Sequence, residues 1–234
     1  MSGFSTEALL YPLTKGDKTG HSFHGNQYRE VASEGGQSRP PAGKLQLSFD
    51  EMKELGKQLA DTNDWDGVTV GLSKKLGVDK PATRISGNLD VVDYYRGCDK
   101  AGAESLTQPL VHYGQDGGTA LGHGAYFSPY EEVAEQYKKD TMIEALVDPS
   151  AKIAHEEDLS MGFKGNGDTG YAGNLLPSNQ REEYDKLPKE QQEALNEYCS
   201  QPSNTALLLG YQGYYDDLGE TMVVLDRSIL KVAY

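Results

Sequence analysis

Residues 122–137 read GHGAYFSPYEEVAEQY. Two glycines lead into the run Ala125-Tyr126-Phe127, in which aromatic residues alternate faces as they do on a pleated, half-buried strand. The run stops at Ser128-Pro129. Ser128 fits an N-cap, Pro129 fits the first helical position, and Glu131 completes a capping box in which hydroxyl and carboxylate satisfy each other's end amides. Tyr130, Val133, Ala134 and Tyr137 follow at i, i+3, i+4 and i+7, which predicts a helix with one apolar face. The stretch therefore reads as strand, turn and helix. Gly122 and Gly124 allow another group to come close to the backbone where the strand begins. From the residues alone, Ser128 caps a helix and Tyr137 packs in the core, or both line a pocket.

Upstream, residues 89–97 read LDVVDYYRG, a Val- and Tyr-rich strand that ends in Arg96-Gly97. A guanidinium at the end of an apolar strand is partly desolvated and needs a carboxylate or a phosphate. Two readings stand. Arg96 forms an internal salt bridge with one of the chain's 36 acidic residues, or it grips an anionic ligand. Gly97 leaves its main-chain amide and carbonyl open to a ligand's amide group.

Around these two segments the chain reads as α+β. SFDEMKELGKQLADT places Phe49, Met52, Leu55 and Leu59 on one helical face, with Ser48 and Glu51 as a capping box. A short helix is expected around LSKKLG, a strand in TMIEALVDP stopped by Pro149, and a helix in LPKEQQEALNEYCSQ from Pro188. GFKGNGDTGYAGN reads as a glycine-rich loop, and ETMVVLDRSILKVAY as a buried strand with its continuation. Strands cluster instead of alternating with helices, which tells against a Rossmann or P-loop architecture. No GxxxxGK[ST] occurs, and GNGDTG lacks the flanking strand and helix of a dinucleotide fingerprint. The expected organisation is an arm over residues 1–43, a helical lead-in over 44–88 and a folded domain over 89–234.

Composition narrows the function classes. The 234 residues carry a formal net charge of −14, so a nucleic-acid partner would need a local basic patch, and the sequence offers none. Hydrophobic content is 37%, with 27 glycines and 10 prolines, which suits a loop-rich core plus a segment that buries little. No apolar run is long enough for a membrane helix, and no basic-then-apolar leader opens the chain, so neither a membrane nor a secretory destination is expected. Cys98 and Cys199 form no framework and are expected to be reduced thiols. Cys98 sits beside Arg96, where a guanidinium could activate a thiol. His112, His123 and His155 have no ligand-spaced partners, and no metal is expected.

YYRG, GHGAYFS with EVAEQY, and the late VVLDRS together resemble the ADP-ribosyltransferase superfamily over roughly residues 89–234. The resemblance implies a split β-sandwich with short flanking helices, and NAD as a substrate held in a cleft. In its terms Arg96 holds the NAD phosphates or ribose, and Gly97 meets the nicotinamide carboxamide through its backbone. Gly124 and Phe127 belong to the motif that lines the cleft, Tyr126 and Tyr137 flank the nicotinamide ring, and Ser128 braces the site. The family's catalytic glutamate matches Glu220 most nearly, though Glu220 falls one residue early, with Asp216 and Asp217 as fallback carboxylates. The activity implied is mono-ADP-ribosylation of a protein acceptor.

Residues 1–43 are polar and without period, which reads as a flexible or partner-ordered arm. Within it GHSFHGNQYRE, from Gly20 to Glu30, has Phe23 and Tyr28 as its large anchors and suits a docking peptide. It resembles a segment of phage head-associated proteins. That resemblance implies a capsid or portal partner, with the protein in the virion or the host cytoplasm. The alternatives are a minor capsid protein that keeps the fold without catalysis, and a free ADP-ribosyltransferase toxin or effector.

Overall fold

The computed structural model describes residues 43–62, 64–110, 122–165, 170–216 and 218–234. They belong to one unit, Pro40–Tyr234. Residues 1–42 of the expected arm, with the docking segment from Gly20 to Glu30, and His112 and Asp217 lie outside the described residues.

The elements in chain order are helices α1 (Phe49–Asp61) and α2 (Trp65–Leu76), strands β1 (Thr83–Arg84) and β2 (Tyr94–Cys98), then helix α3 (Lys100–Leu106). Strand β3 (Ala125–Phe127), helix α4 (Glu131–Glu135), strands β4 (Thr141–Val147) and β5 (Ile153–His155), and helix α5 (Glu156–Lys164) follow. Helices α6 (Ser178–Tyr184), α7 (Lys189–Cys199) and α8 (Pro202–Leu208) lead to β6 (Gly213–Tyr215), β7 (Met222–Val224) and β8 (Leu230–Ala233).

The expectation of α+β holds. The strands form two four-stranded sheets, ordered β1-β8-β4-β2 and β3-β7-β6-β5. Within them β1 with β8 and β5 with β6 run parallel, and the other pairs run antiparallel. Ile143, Ala145, Leu230 and Val232 of the first sheet share one apolar cluster with Ala125, Phe127, Met222 and Val224 of the second. Each large member contributes about 1.5–3 kcal/mol by leaving water. Val223, between Met222 and Val224, points the other way into a second cluster with Met52, Leu59, Leu159, Leu195, Tyr198 and Leu207. Strand alternation therefore gives three layers: first sheet, second sheet and helices.

Helix α1 starts as its sequence requires. Glu51 donates nothing through its carboxylate, which accepts the Ser48 N–H at 2.7 Å, while the Glu51 N–H reaches Ser48 Oγ at 3.3 Å. Lys75 Nζ of α2 meets the same carboxylate at 2.6 Å. Helix α1 packs on α7, so the segment expected as a lead-in is part of the helical layer.

Several expectations need correction. The strand expected over residues 89–97 begins only at Tyr94, because the Asp93 carboxylate takes the Val147 N–H at 3.0 Å where a backbone rung would continue. The helix expected near LSKKLG is longer and opens at Trp65, with the Asp64 carboxylate as cap on the Gly67 N–H. Ser128 does not cap α4: the N-cap is Tyr130, with no side-chain cap bond, and the helix is one short turn. Ser128 is drawn instead into a backbone bridge with Tyr95. The helix ends before Tyr137, whose ring is 58% exposed rather than on an inward face. The final apolar stretch is two strands in different sheets, separated by a 3-10 turn at Arg227–Ile229 that Asp226 caps.

Two outcomes follow from this packing. Leu195→Ala, at a fully buried position where α7 meets α1, should lower unfolding free energy by about 2–5 kcal/mol in denaturant titration. Lys75, then Ser48, hold the Glu51 carboxyl at about 2, below its ordinary 4.5. A lowered folded value stabilises above the ordinary value and is lost as pH falls toward the folded one. The Tm gap between wild type and Glu51→Gln should thus be full at neutral pH and close between pH 4.5 and 2; a gap that ignores pH would remove the ionic part of this cap.

Candidate functional site

The two sheets touch along their edges at one rung. Tyr95 N–H donates to the Ser128 carbonyl at 2.7 Å and Ser128 N–H to the Tyr95 carbonyl at 2.9 Å. In a continuous antiparallel sheet the next rung would join Gly97 to Tyr126. Instead the Tyr126 carbonyl accepts Arg96 Nη1 at 3.0 Å. The strands part here, and a guanidinium stands in the gap.

Arg96 pairs across β2–β4 with Ile143, which is fully buried, so its side chain points between the sheets. The guanidinium lies over the Phe127 ring, 5.9 Å from the centroid, and its Nε is buried without a hydrogen bond. Among the described residues Arg96 forms no ion pair. The two acids three residues away are committed elsewhere: Asp93 accepts the Val147 N–H at 3.0 Å, and Asp99 caps α3 through the Gly102 N–H at 2.8 Å and meets Lys139 at 3.4 Å. The internal-salt-bridge reading of Arg96 therefore finds no support in the described residues. Burial pushes the guanidinium value down, opposed first by Cys98, yet arginine stays charged in proteins. Arg96 is half-buried, but its Nε is shut off from water, and a buried polar atom without a partner is costly and requires an explanation.

Gly97 is required by packing. A Cβ there would stand 1.9 Å from the Ala134 carbonyl oxygen and 2.5 Å from the Lys138 nitrogen, so α4 and its exit press directly on β2. By strand alternation the Gly97 N–H and C=O point to the same edge as those of Tyr95, just past the last rung. Tyr137 follows α4 with its main chain against Gly97 and its ring exposed. Tyr126 is placed differently. It packs toward the helical cluster, opposite in face to Phe127, and its hydroxyl donates to the Gly122 carbonyl.

Gly124 has φ 144°, and a Cβ there would meet Val223 Cγ1 at 2.4 Å. The close approach it permits is to β7, inside the protein. Ser128 is 5% exposed, and its Oγ accepts the Tyr130 N–H at 3.1 Å. It braces the junction through its main chain.

Glu220 is exposed in the turn before β7. Met222 pairs with Phe127, so the register carries Thr221 toward Ser128 and leaves Glu220 at the same end of the second sheet. Asp216 does not offer a free carboxylate, since its Oδ1 accepts the Glu220 N–H at 2.8 Å and the Thr221 N–H at 3.2 Å. Two contacts were not anticipated from sequence. The Tyr94 and Tyr215 hydroxyls bond across the sheets at 2.8 Å, and His155 lies 5.5 Å from the Tyr215 ring centroid. His123 meets Asp66 of α2 at 3.4 Å, and burial pushes its imidazole value down. Burial also raises Cys98 and pushes Cys199 up to about 12, which opposes thiolate chemistry at either.

Among the described residues no group of three or more His, Cys, Asp or Glu is placed to hold a metal ion, and no helix is long and apolar enough to cross a membrane. A groove of about 910 Å³ between α1 and α2, floored by Leu55 and Leu72, shares no residue with the Arg96 site. The chain matches no protein-family model, no curated protein and no solved structure.

Gly97→Ala should unfold the contact between α4 and β2. The backbone atoms it would strike cannot swing away, so a loss of about 1–3 kcal/mol in chemical denaturation is expected, and unchanged stability would contradict the close approach.

Proposed function

We propose that the chain is an NAD-binding protein of the ADP-ribosyltransferase type, with the two sheets as a split β-sandwich and the gap beside Arg96 as its NAD cleft. The observation that carries the reading is Arg96: a guanidinium between the sheets, bonded to one carbonyl, with a buried Nε left over and no ion pair among the described residues. A pyrophosphate supplies the charge and the paired oxygens that this group lacks. The edge of Gly97 fits a carboxamide, and the exposed Tyr137 ring beside it offers a flat face to a nicotinamide.

In the reaction this implies, the bond between nicotinamide and ribose breaks, nicotinamide leaves with the electron pair, and the ribose carbon passes through an oxocarbenium-like state. A protein nucleophile attacks that carbon and gives up its proton to a carboxylate, the role proposed for Glu220. Arg96 holds the pyrophosphate, Gly97 orients the leaving group, and Ser128 keeps the two strands joined beside them. A second reading, binding without transfer, is favoured by one observation: Glu220 is exposed. The proposed setting, a phage head with a capsid or portal partner, rests on the segment from Gly20 to Glu30.

Calorimetry with NAD tests the reading. Wild type should bind, Arg96→Ala should bind about 10–100-fold more weakly from the loss of a charge-assisted contact, and labelled NAD should mark an acceptor in lysate only with wild type. A wild type that shows no NAD binding overturns the proposal; binding with no transfer and no NAD loss selects the second reading.

A further inference from the structure

We propose that Asp216 is a positioning residue for Glu220, stapling the turn that carries it to the strand of Arg96. The inference rests on the transferase reading of the site. The turn is closed from several directions. Asp216 N–H donates to the Thr221 carbonyl at 2.9 Å, and Gly219 N–H donates to the Asp216 carbonyl at 3.0 Å. The Asp216 carboxylate adds the bonds from the Glu220 and Thr221 N–H groups through a single oxygen, Oδ1. The main chain of Glu220 is therefore fixed, although its side chain is exposed.

The other end of the staple reaches the strand of Arg96. Tyr215, the residue before Asp216, bonds through its hydroxyl to Tyr94, two residues before Arg96 on β2. Tyr94 and Arg96 share a face of that strand. A continuous set of contacts thus runs from Glu220 through Asp216 and Tyr215 to Tyr94, and by β2 to Arg96. A carboxylate that must meet the ribose while Arg96 holds the pyrophosphate needs its place relative to Arg96 set, and these contacts fix the main chain from which it projects. Asp216 does so with an acceptor oxygen alone; its charge is not needed, which separates the role from that of a fallback catalytic carboxylate.

The test compares Asp216→Ala with Asp216→Asn in the full chain, measuring NAD affinity, NAD consumption and amide hydrogen exchange at Glu220 and Thr221. Asp216→Ala should lower turnover about tenfold or more with NAD affinity changed less than about twofold, and should speed exchange at both amides. Asp216→Asn keeps an acceptor oxygen and should restore turnover to within about threefold of wild type. Wild-type turnover in Asp216→Ala, an Asn variant no better than Ala, or equal losses in affinity and turnover would each overturn the role. A wild type that does not bind NAD removes the proposed function itself. One that binds without consuming it removes transfer, and with it any working carboxylate for Asp216 to place.

Discussion

Two main-chain hydrogen bonds between Tyr95 and Ser128 are the constraint on which the site depends. They make β2 and β3 neighbours for a single rung, after which the strands diverge. Had pairing continued, the Tyr126 carbonyl would be satisfied by Gly97 and the guanidinium of Arg96 would have no place between the sheets. Had the rung been absent, no main-chain bond would tie the strand of Phe127 to the strand of Arg96. One rung gives both a joint and an opening.

The charge balance shapes what such an opening can do. A chain with a formal net charge of −14 repels anions at long range, so an anionic ligand gains nothing from steering. Recognition of such a ligand rests on short-range contact, where a partly desolvated cation acts more strongly than one in water. Arg96 is half-buried with its Nε shut off from water, and its neighbour Asp99 is engaged by the α3 cap and Lys139.

Much of the fold was legible where local chemistry decides it. The Ser48–Glu51 box, the strand through Ala125–Phe127 and the helix after Pro188 all follow from spacing that tertiary contacts do not oppose. Ser128 and Pro129 misled because a capping signature and a strand's last rung use the same residue, and the tertiary bridge to Tyr95 won. Tyr137 fits a helical period, but the pressure of the Ala134 and Lys138 backbone on Gly97 accompanies a helix of one short turn. Strands β5 and β6 are as short as β3 but lack the Ser-Pro stop that bounded it. At the candidate site, Arg96-Gly97 stood out by its chemistry, a guanidinium at the end of an apolar strand. The Tyr94–Tyr215 bond spans 121 positions and leaves no local trace. Asp216 was readable in principle, since an acid with Gly219 three residues on is a turn signature.

The second sheet has an apolar layer on each side, so hydrophobic alternation does not distinguish its two faces. A one-residue slip of β7 would exchange Val223 with its neighbours and still bury apolar groups on both sides, the situation in which strand register is weakly specified. Gly124 resolves the ambiguity by making room for Val223 Cγ1, while a Cβ at Gly213 would stand 2.7 Å from the main-chain oxygen of the same residue. Gly124 reads the valine side chain, and Gly213 lets the two strands approach. The phase of the strand, and with it the place where its leading turn emerges, is written in the residues that lack side chains.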